Sequence, residues 1–195
     1  MNMTKGENKM LGFAVTGSFC NFEKCLKALE ELTKKYDEIL PILSDHAYST
    51  DTRFGTASYF VSRIEKLCCH EAVHTLTGAE PLGPKIKLDC LCICPCTGNT
   101  LSKLAAGIYD TPVTLAAKAH LRTGRPLVIA LATNDALSGN AESLAKMLVR
   151  KNVYFVPLSQ DDPKGKPYSL VCDFKRVDET IALAMEGKQI EPLFF

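Results

Sequence analysis

Cysteine recurs at every second position along Leu88-Asp89-Cys90-Leu91-Cys92-Ile93-Cys94-Pro95-Cys96, and this run constrains the fold more than any other stretch. It leads through a Pro-Cys-Thr-Gly-Asn-Thr turn at 95–100 into a helical pattern of Leu101, Leu104, Ala105 and Ile108. A bounded apolar run feeding a helix through such a turn has the form of a buried parallel strand with its crossover. The turn then aims backbone N–H groups and hydroxyls beyond the strand's carboxyl end, where the helix dipole favours an anion. The same residues also suit an ordinary connection, because Thr and Asn are common helix caps. A metal is not expected. At about 3.3 Å of rise per residue, neighbouring thiols on one face sit ~7 Å apart and the outermost roughly 20 Å apart. A zinc ion needs each sulfur at about 2.3 Å. Nor do i, i+2 positions on one strand reach disulfide geometry. The cysteines therefore read as small buried hydrophobes, with Cys96, placed in the turn, as the one thiol expected to face a ligand.

The same alternation of apolar run, polar turn and helix extends along the chain. Met10–Val15 is a strand ending in Thr16-Gly17-Ser18-Phe19-Cys20, and Phe22, Cys25, Leu26, Leu29 and Leu32 then recur at helical spacing. Gly17 permits close backbone approach and Ser18 offers a hydroxyl and an N–H. No GxGxxG is present, which removes the dinucleotide fingerprint. Ile39–Leu43 is a second strand ending at Ser44, followed by a helix from Thr56 to Leu67. His70 and His74, beside Cys68 and Cys69, lack a second cluster of matching spacing and read as surface or capping histidines. Pro112–Leu121 is a helix of small residues closed by Thr123-Gly124. Leu127–Ala132 is a core strand that ends in Thr133-Asn134-Asp135, and Ser138-Gly139-Asn140 precedes a further helix. Val153–Val156 is a strand, Pro157–Pro167 a loop, Tyr168–Cys172 a short strand, and Val177–Met185 the last helix. This order indicates a single-domain, doubly wound α/β fold with a parallel sheet and helices on both faces, over residues 10–186. Residues 1–9 and 187–195 are expected as tails. Ligands of such folds bind outside the carboxyl ends of the strands, and four of those ends carry small polar residues: Gly17-Ser18, Ser44, Thr97–Thr100 and Thr133–Asp135.

Composition excludes several function classes. A net charge of +1 gives no reason to expect nucleic acid or an anionic membrane. No apolar run approaches the ~20 residues of a membrane span. Nine cysteines, an odd number without a CxxC pair, suit free thiols in a reducing cytoplasm. Lys118 or His120 would bring positive charge to the site if their helix faced it; a solvated face is the alternative.

The Thr-Gly-Ser turn, the Ser44 strand end and the PCTGNTLSKLAAGIYD segment at 95–110 resemble the flavoprotein family of homo-oligomeric FMN-dependent cysteine decarboxylases and flavin prenyltransferases, whose signature is Pro-Ala-Ser-Ala-Asn-Thr followed by Lys-Ile-Ala-x-Gly-Ile-x-Asp. AEPLGP at 79–84, DTPVTLAAKAHL at 110–121, Thr133-Asn134-Asp135, YFVPLSQDDP at 154–163 and EGKQ at 186–189 resemble one branch of it, the B subunits of the dipicolinate synthases of spore-forming bacteria. The resemblance covers nearly the whole chain after Met10. It implies a Rossmann-like flavoprotein fold, an NADP-binding A subunit as partner, a small dicarboxylate substrate, and a place in the mother-cell cytoplasm during sporulation. It further implies FMN held by Gly17, Ser18, Phe19, Ser44, Pro95, Cys96, Thr97, Gly98, Asn99, Thr100, Thr133 and Asn134. The departures are specific. Cys96-Thr97-Gly98 replaces Ala-Ser-Ala, and Leu82-Gly83-Pro84 occupies the register of the decarboxylases' catalytic histidine. Ala132-Thr133-Asn134-Asp135 replaces their Pro-x-Met-Asn clamp, and Leu115 stands where prenyltransferases carry arginine. These changes imply neither decarboxylation nor prenyl transfer. Three functions follow: an oxidoreductase subunit, a flavin-free structural or regulatory partner of the A subunit, or a decarboxylase with a relocated base such as His74. Catalytic residues stay unassigned, with Cys96 and Asn134 as the candidates.

Overall fold

Strand β1 (Met10–Val15) lies between β2 (Glu38–Leu43) and β3 (Cys90–Cys96), parallel to both, in the computed structural model, which describes residues 9–195. The tail expected at 1–9 thus lies, apart from Lys9, outside the described residues. β3 pairs in parallel with β4 (Leu127–Thr133), and β4 in turn with β5 (Val153–Phe155). The chain steps outward from β1 to β2 and then returns across β1 to β3, so the order reverses between β1 and β3. Crevices for ligands open at such a reversal.

Both faces of this sheet are covered, which is why β3 reads as an uninterrupted apolar run. On one face α1 (Phe22–Thr33) packs with α8 (Val177–Met185), burying the stripe Phe22, Cys25, Leu26, Leu29 and Leu32 predicted from its spacing. On the other, α5 (Gly98–Ala106) touches both α6 (Pro112–Leu121) and α7 (Ala141–Leu148). α6 starts where it does because Thr111 and Thr114 form a reciprocal capping box behind Pro112. Helices α2 (Asp45–Ser49), α3 (Ala57–Cys68) and α4 (Leu76–Ala79) occupy the long crossover from β2 to β3. Among the described residues, no helix is long and apolar enough to cross a membrane.

The expected α/β fold, with a parallel sheet from β2 to β5 and helices on both faces, is present, and three features add detail to it. The parallel sheet gains an antiparallel addition, β7 (Leu170–Cys172), along the last residues of β4. The loop expected at Pro157–Pro167 contains a strand, β6 (Leu158–Ser159), antiparallel to β7. A two-residue strand leaves no periodic signature, so β6 was not legible, whereas β7 lies inside the short strand expected at Tyr168–Cys172. Residues 187–195 are bonded back to the sheet. The Gln189 side chain donates to the Phe155 carbonyl at 2.7 Å and accepts from its N–H at 2.9 Å. Leu158 and the 193–195 backbone exchange further bonds. At the opposite edge, Val73 pairs with the second half of β2, accepting from Leu43 N at 2.8 Å and donating to Pro41 at 2.9 Å.

His120 is neither solvated nor near the cleft described below. It is fully buried in α6, with Nε2 bonded to the Pro126 carbonyl at 2.8 Å and Nδ1 without a partner. Burial pushes its pKa below the ordinary 6.5, against the Pro126 carbonyl; the nearby Arg125 pushes the same way as burial and Asp89 the other way. The unfolded chain therefore takes up this proton at a higher pH than the folded one. As pH falls from 6.5 towards the folded value, stability is lost. Urea midpoints of the wild type should drop between pH 7 and pH 5, and His120→Gln should flatten that drop. An unchanged slope in the variant would remove His120 as its source.

Candidate functional site

The turns that follow β1 and β3 meet at the strand-order reversal and are bonded to one another through Thr16. Its hydroxyl donates to the Pro95 carbonyl at 2.8 Å and accepts from the Thr97 N–H at 2.9 Å, while its own N–H reaches Pro95 O at 3.2 Å. Above this junction lies an open cleft of about 600 Å³, within the range of small-molecule sites. Gly17, Ser18 and Phe19 line it from the first turn, Thr97 and Gly98 from the second, and Thr133 and Asn134 from the end of β4, with Ser169–Val171 closing the side.

Its two glycines serve different ends. A Cβ on Gly17 would meet only the Phe19 ring at 3.5 Å and His46 Cβ at 3.6 Å, ordinary van der Waals contacts. Nothing in the protein demands glycine there, so its bare Cα leaves room on the cleft side. Gly98 is required from within. A Cβ there would overlap Thr133 Oγ1 and approach Asn140 Nδ2 to 2.6 Å.

Several of the predicted binding residues carry out other work. Ser44 is buried and its hydroxyl caps α2, accepting from Ala47 N at 3.3 Å. Thr97 Oγ1 caps α5, accepting from Thr100 N at 3.2 Å and donating to Thr100 Oγ1 at 3.0 Å. Thr97 thus offers the cleft backbone, and Thr100 is buried behind it. Pro95 contributes its carbonyl to Thr16 and is itself buried. Asn99 is exposed on the first turn of α5, outside the lining. Cys96 requires the clearest correction. It ends β3 instead of opening the turn, its thiol is fully buried, and burial raises its pKa, so it faces no ligand and is a poor nucleophile. Cys90, Cys92 and Cys94 are buried beside it, as the hydrophobe reading expects. Among the described residues, no His/Cys/Asp/Glu group is arranged to hold a metal. His70 Nε2 lies 2.9 Å from Glu38, and His74 stacks on Tyr48 at 3.7 Å.

Other participants escaped the sequence reading. Behind Gly98, Thr133 Oγ1 donates to Asp135 Oδ1 at 2.5 Å, and Asn140 Nδ2 donates to the same oxygen at 2.7 Å. The Thr133 hydroxyl, then the Asn140 amide, hold the Asp135 carboxyl below its usual range. Ser102 donates to Asn140 Oδ1, and Ser143 donates to Ser102 at 3.1 Å. Three cations reach the rim: Lys24 from α1, Arg53 from the α2–α3 loop and Lys166 from the loop before β7. Lys166 is paired with Asp161 at 3.0 Å, whereas Arg53 lies over the Phe54 ring at 4.9 Å with no ion pair among the described residues. Lys24 lies off the buried stripe of α1, and only the fold places it beside residues 53 and 166. Lys118 does not join them, being stacked over Tyr109 on another surface.

This constellation sits in a chain with extensive relatives. The flavoprotein family model matches residues 2–190. The B subunit of dipicolinate synthase from Bacillus subtilis (strain 168) is 42% identical over 191 residues, covering 98% of this chain and 96% of that one. The crystal structure of the dipicolinate synthase B subunit from Bacillus halodurans C superposes with a TM-score of 0.88 at 39% identity, covering 96% of each chain. A dodecameric FMN-dependent decarboxylase from Escherichia coli O157:H7 shares the fold, with a TM-score of 0.61 at 22% identity over 76% of this chain and 80% of that one. With the family model spanning nearly its full length and a strand-order reversal framed by glycine-bearing turns, this chain belongs to the flavoprotein family.

Proposed function

We propose that this chain is the second subunit of a two-subunit dipicolinate synthase. With an NADP-binding A subunit it forms dipicolinate, pyridine-2,6-dicarboxylate, from hydroxy-tetrahydrodipicolinate in the mother-cell cytoplasm during sporulation. One observation carries this reading: 42% identity that runs end to end through both this chain and the B subunit of the Bacillus subtilis enzyme. Forming the aromatic ring requires loss of water and removal of two electrons. In this reading the working particle is a homo-oligomer, as the dodecameric relative is.

The cleft is the proposed site. Its residues suit FMN: an open glycine at Gly17, cations at Lys24 and Arg53 for a phosphate, with Lys166 held by Asp161 on the same rim, and polar backbone at Thr97-Gly98 and Asn134. FMN, when bound, supplies a hydride acceptor. The chain's own part is to hold anionic groups at the cationic rim, orient a planar ring over the Gly98 turn and keep that turn rigid through Asp135. Two substrate carboxylates would find the same cations. The burial of Cys96 and the use of Thr97 as a cap favour a second reading, in which the cleft takes no flavin and this chain serves its partner structurally.

Titration of the purified chain with FMN, followed by mixing with the A subunit, separates these readings. Saturable FMN binding at micromolar concentration or tighter, with synthase activity only in the mixture, is the expected result. Activity on mixing without flavin binding would leave the flavin-free partner, and no activity on mixing would overturn the assignment to this synthase. Gly17→Val should unfold at the wild-type urea midpoint and weaken ligand binding by roughly tenfold, the equivalent of about 1.4 kcal/mol. Arg53→Ala should weaken binding similarly and reduce its salt dependence. Unaltered affinity in both variants would place the site outside the cleft.

A further inference from the structure

Most side chains around the cleft are small or polar, and one at its rim is neither. Phe54 lines the cleft and is 44% exposed, the most open large apolar side chain among the described residues of that lining. A single exposed aromatic on a loose loop would need no explanation. This one is held in place. Thr52 and Gly55 exchange both backbone bonds, Thr52 N to Gly55 O at 3.0 Å and Gly55 N to Thr52 O at 3.1 Å, closing a tight tip that carries Arg53 and Phe54. The Phe54 N–H donates to Thr52 Oγ1 at 3.2 Å, and Asp51 Oδ1 accepts from Ala57 N at 2.8 Å, which ties the tip to the start of α3. Gly55 has a φ of +148°, and a Cβ there would meet Phe60 Cε2 at 2.7 Å, so glycine lets the tip rest on a core aromatic. Arg53 takes one face of the Phe54 ring, with Cζ 4.9 Å from its centre. The exposed surface that remains is the other face and the edge.

We propose that Phe54 is a ligand-binding residue: its free face stacks on a planar ring bound in the cleft, and Thr52 and Gly55 are the positioning residues that hold it there. The ligand class is a flat conjugated ring with anionic substituents. Stacking supplies what the glycine turns do not, because Gly17 and Gly98 offer backbone to the cleft and no apolar side chain. The substituents answer to Lys24 and Arg53 on the same rim. With a guanidinium on one face, the negative quadrupole of the Phe54 ring is partly offset, and an electron-rich ring is accepted on the other. An open-chain anion of the same charge would find the cations and forgo the stacking. This inference rests on the cleft being the site proposed above. The ring can belong to the flavin or to a pyridine dicarboxylate.

Calorimetric titration with FMN and with pyridine-2,6-dicarboxylate, on the wild type and on Phe54 variants, distinguishes these sources. Phe54→Ala should weaken binding of the stacked probe roughly tenfold, the scale of removing one aromatic partner from a flat ring. Phe54→Leu, which keeps apolar bulk without a conjugated face, should lose as much, and Phe54→Trp should bind as the wild type does. The side chain stands at the surface, so every variant should unfold at the wild-type urea midpoint. A loss for FMN assigns the contact to the flavin, and bound FMN should then fluoresce less in Phe54→Trp than in the wild type, because an indole in contact quenches it. A loss for the dicarboxylate assigns the contact to the substrate ring. Probes that bind Phe54→Ala as tightly as the wild type, or full affinity retained by Phe54→Leu, overturn the stacking role and leave the cleft assignment standing. If neither probe binds the wild type, the cleft assignment falls and this inference falls with it.

Discussion

One hydroxyl holds the architecture of the site together. Thr16 Oγ1 receives the Thr97 N–H and gives its hydrogen to Pro95, so the carboxyl ends of β1 and β3 are bonded across the point where the strand order reverses. Elsewhere in such a sheet, neighbouring turns diverge to opposite faces. Here they are held together, and the Gly17 and Gly98 turns face one cleft because of it. Thr16 is itself nearly inaccessible, so this bond is insulated from competition with water.

How far the sequence went can be judged residue by residue. The strand β3, the turn after it and the amphipathic stripe of α1 follow from local periodicity and were legible. Gly17, Ser18, Thr97, Gly98, Thr133 and Asn134 were singled out because they end strands, and they do share a cleft. What they donate or accept was not legible. A threonine before a helix can cap that helix or bind a ligand, and only distances show that Thr97 caps while Thr133 turns its hydrogen to Asp135. Lys24, Arg53 and Lys166 converge through tertiary folding, and no local pattern marks them. The short strand expected at Tyr168–Cys172 is present as β7, whereas its two-residue partner β6 carries too little alternation to register, and no local pattern marks the antiparallel direction of the pair.

The cysteine run shows how composition can misdirect. Thiols at 90, 92, 94 and 96 suggest metal or redox chemistry, yet all are buried among apolar neighbours, and burial raises their pKa values. Cys25 adds a bond from its thiol to the Cys94 carbonyl at 2.9 Å. Cysteine here fills space that a larger side chain would overfill in a sheet covered on both faces.

The short bridges at the sheet margins bear on how such a molecule can assemble. Val73 runs beside the second half of β2, the Gln189 amide mimics a strand against Phe155, and the last residues lie along Leu158. Each takes up backbone donors and acceptors that an edge strand would otherwise present. Open edges recruit other chains by strand addition. Where these margins are occupied that mode of association is blocked, and a second chain docking there meets the shape and chemistry of side-chain surfaces. Selectivity for one partner over another then resides in residues that can vary without disturbing the sheet.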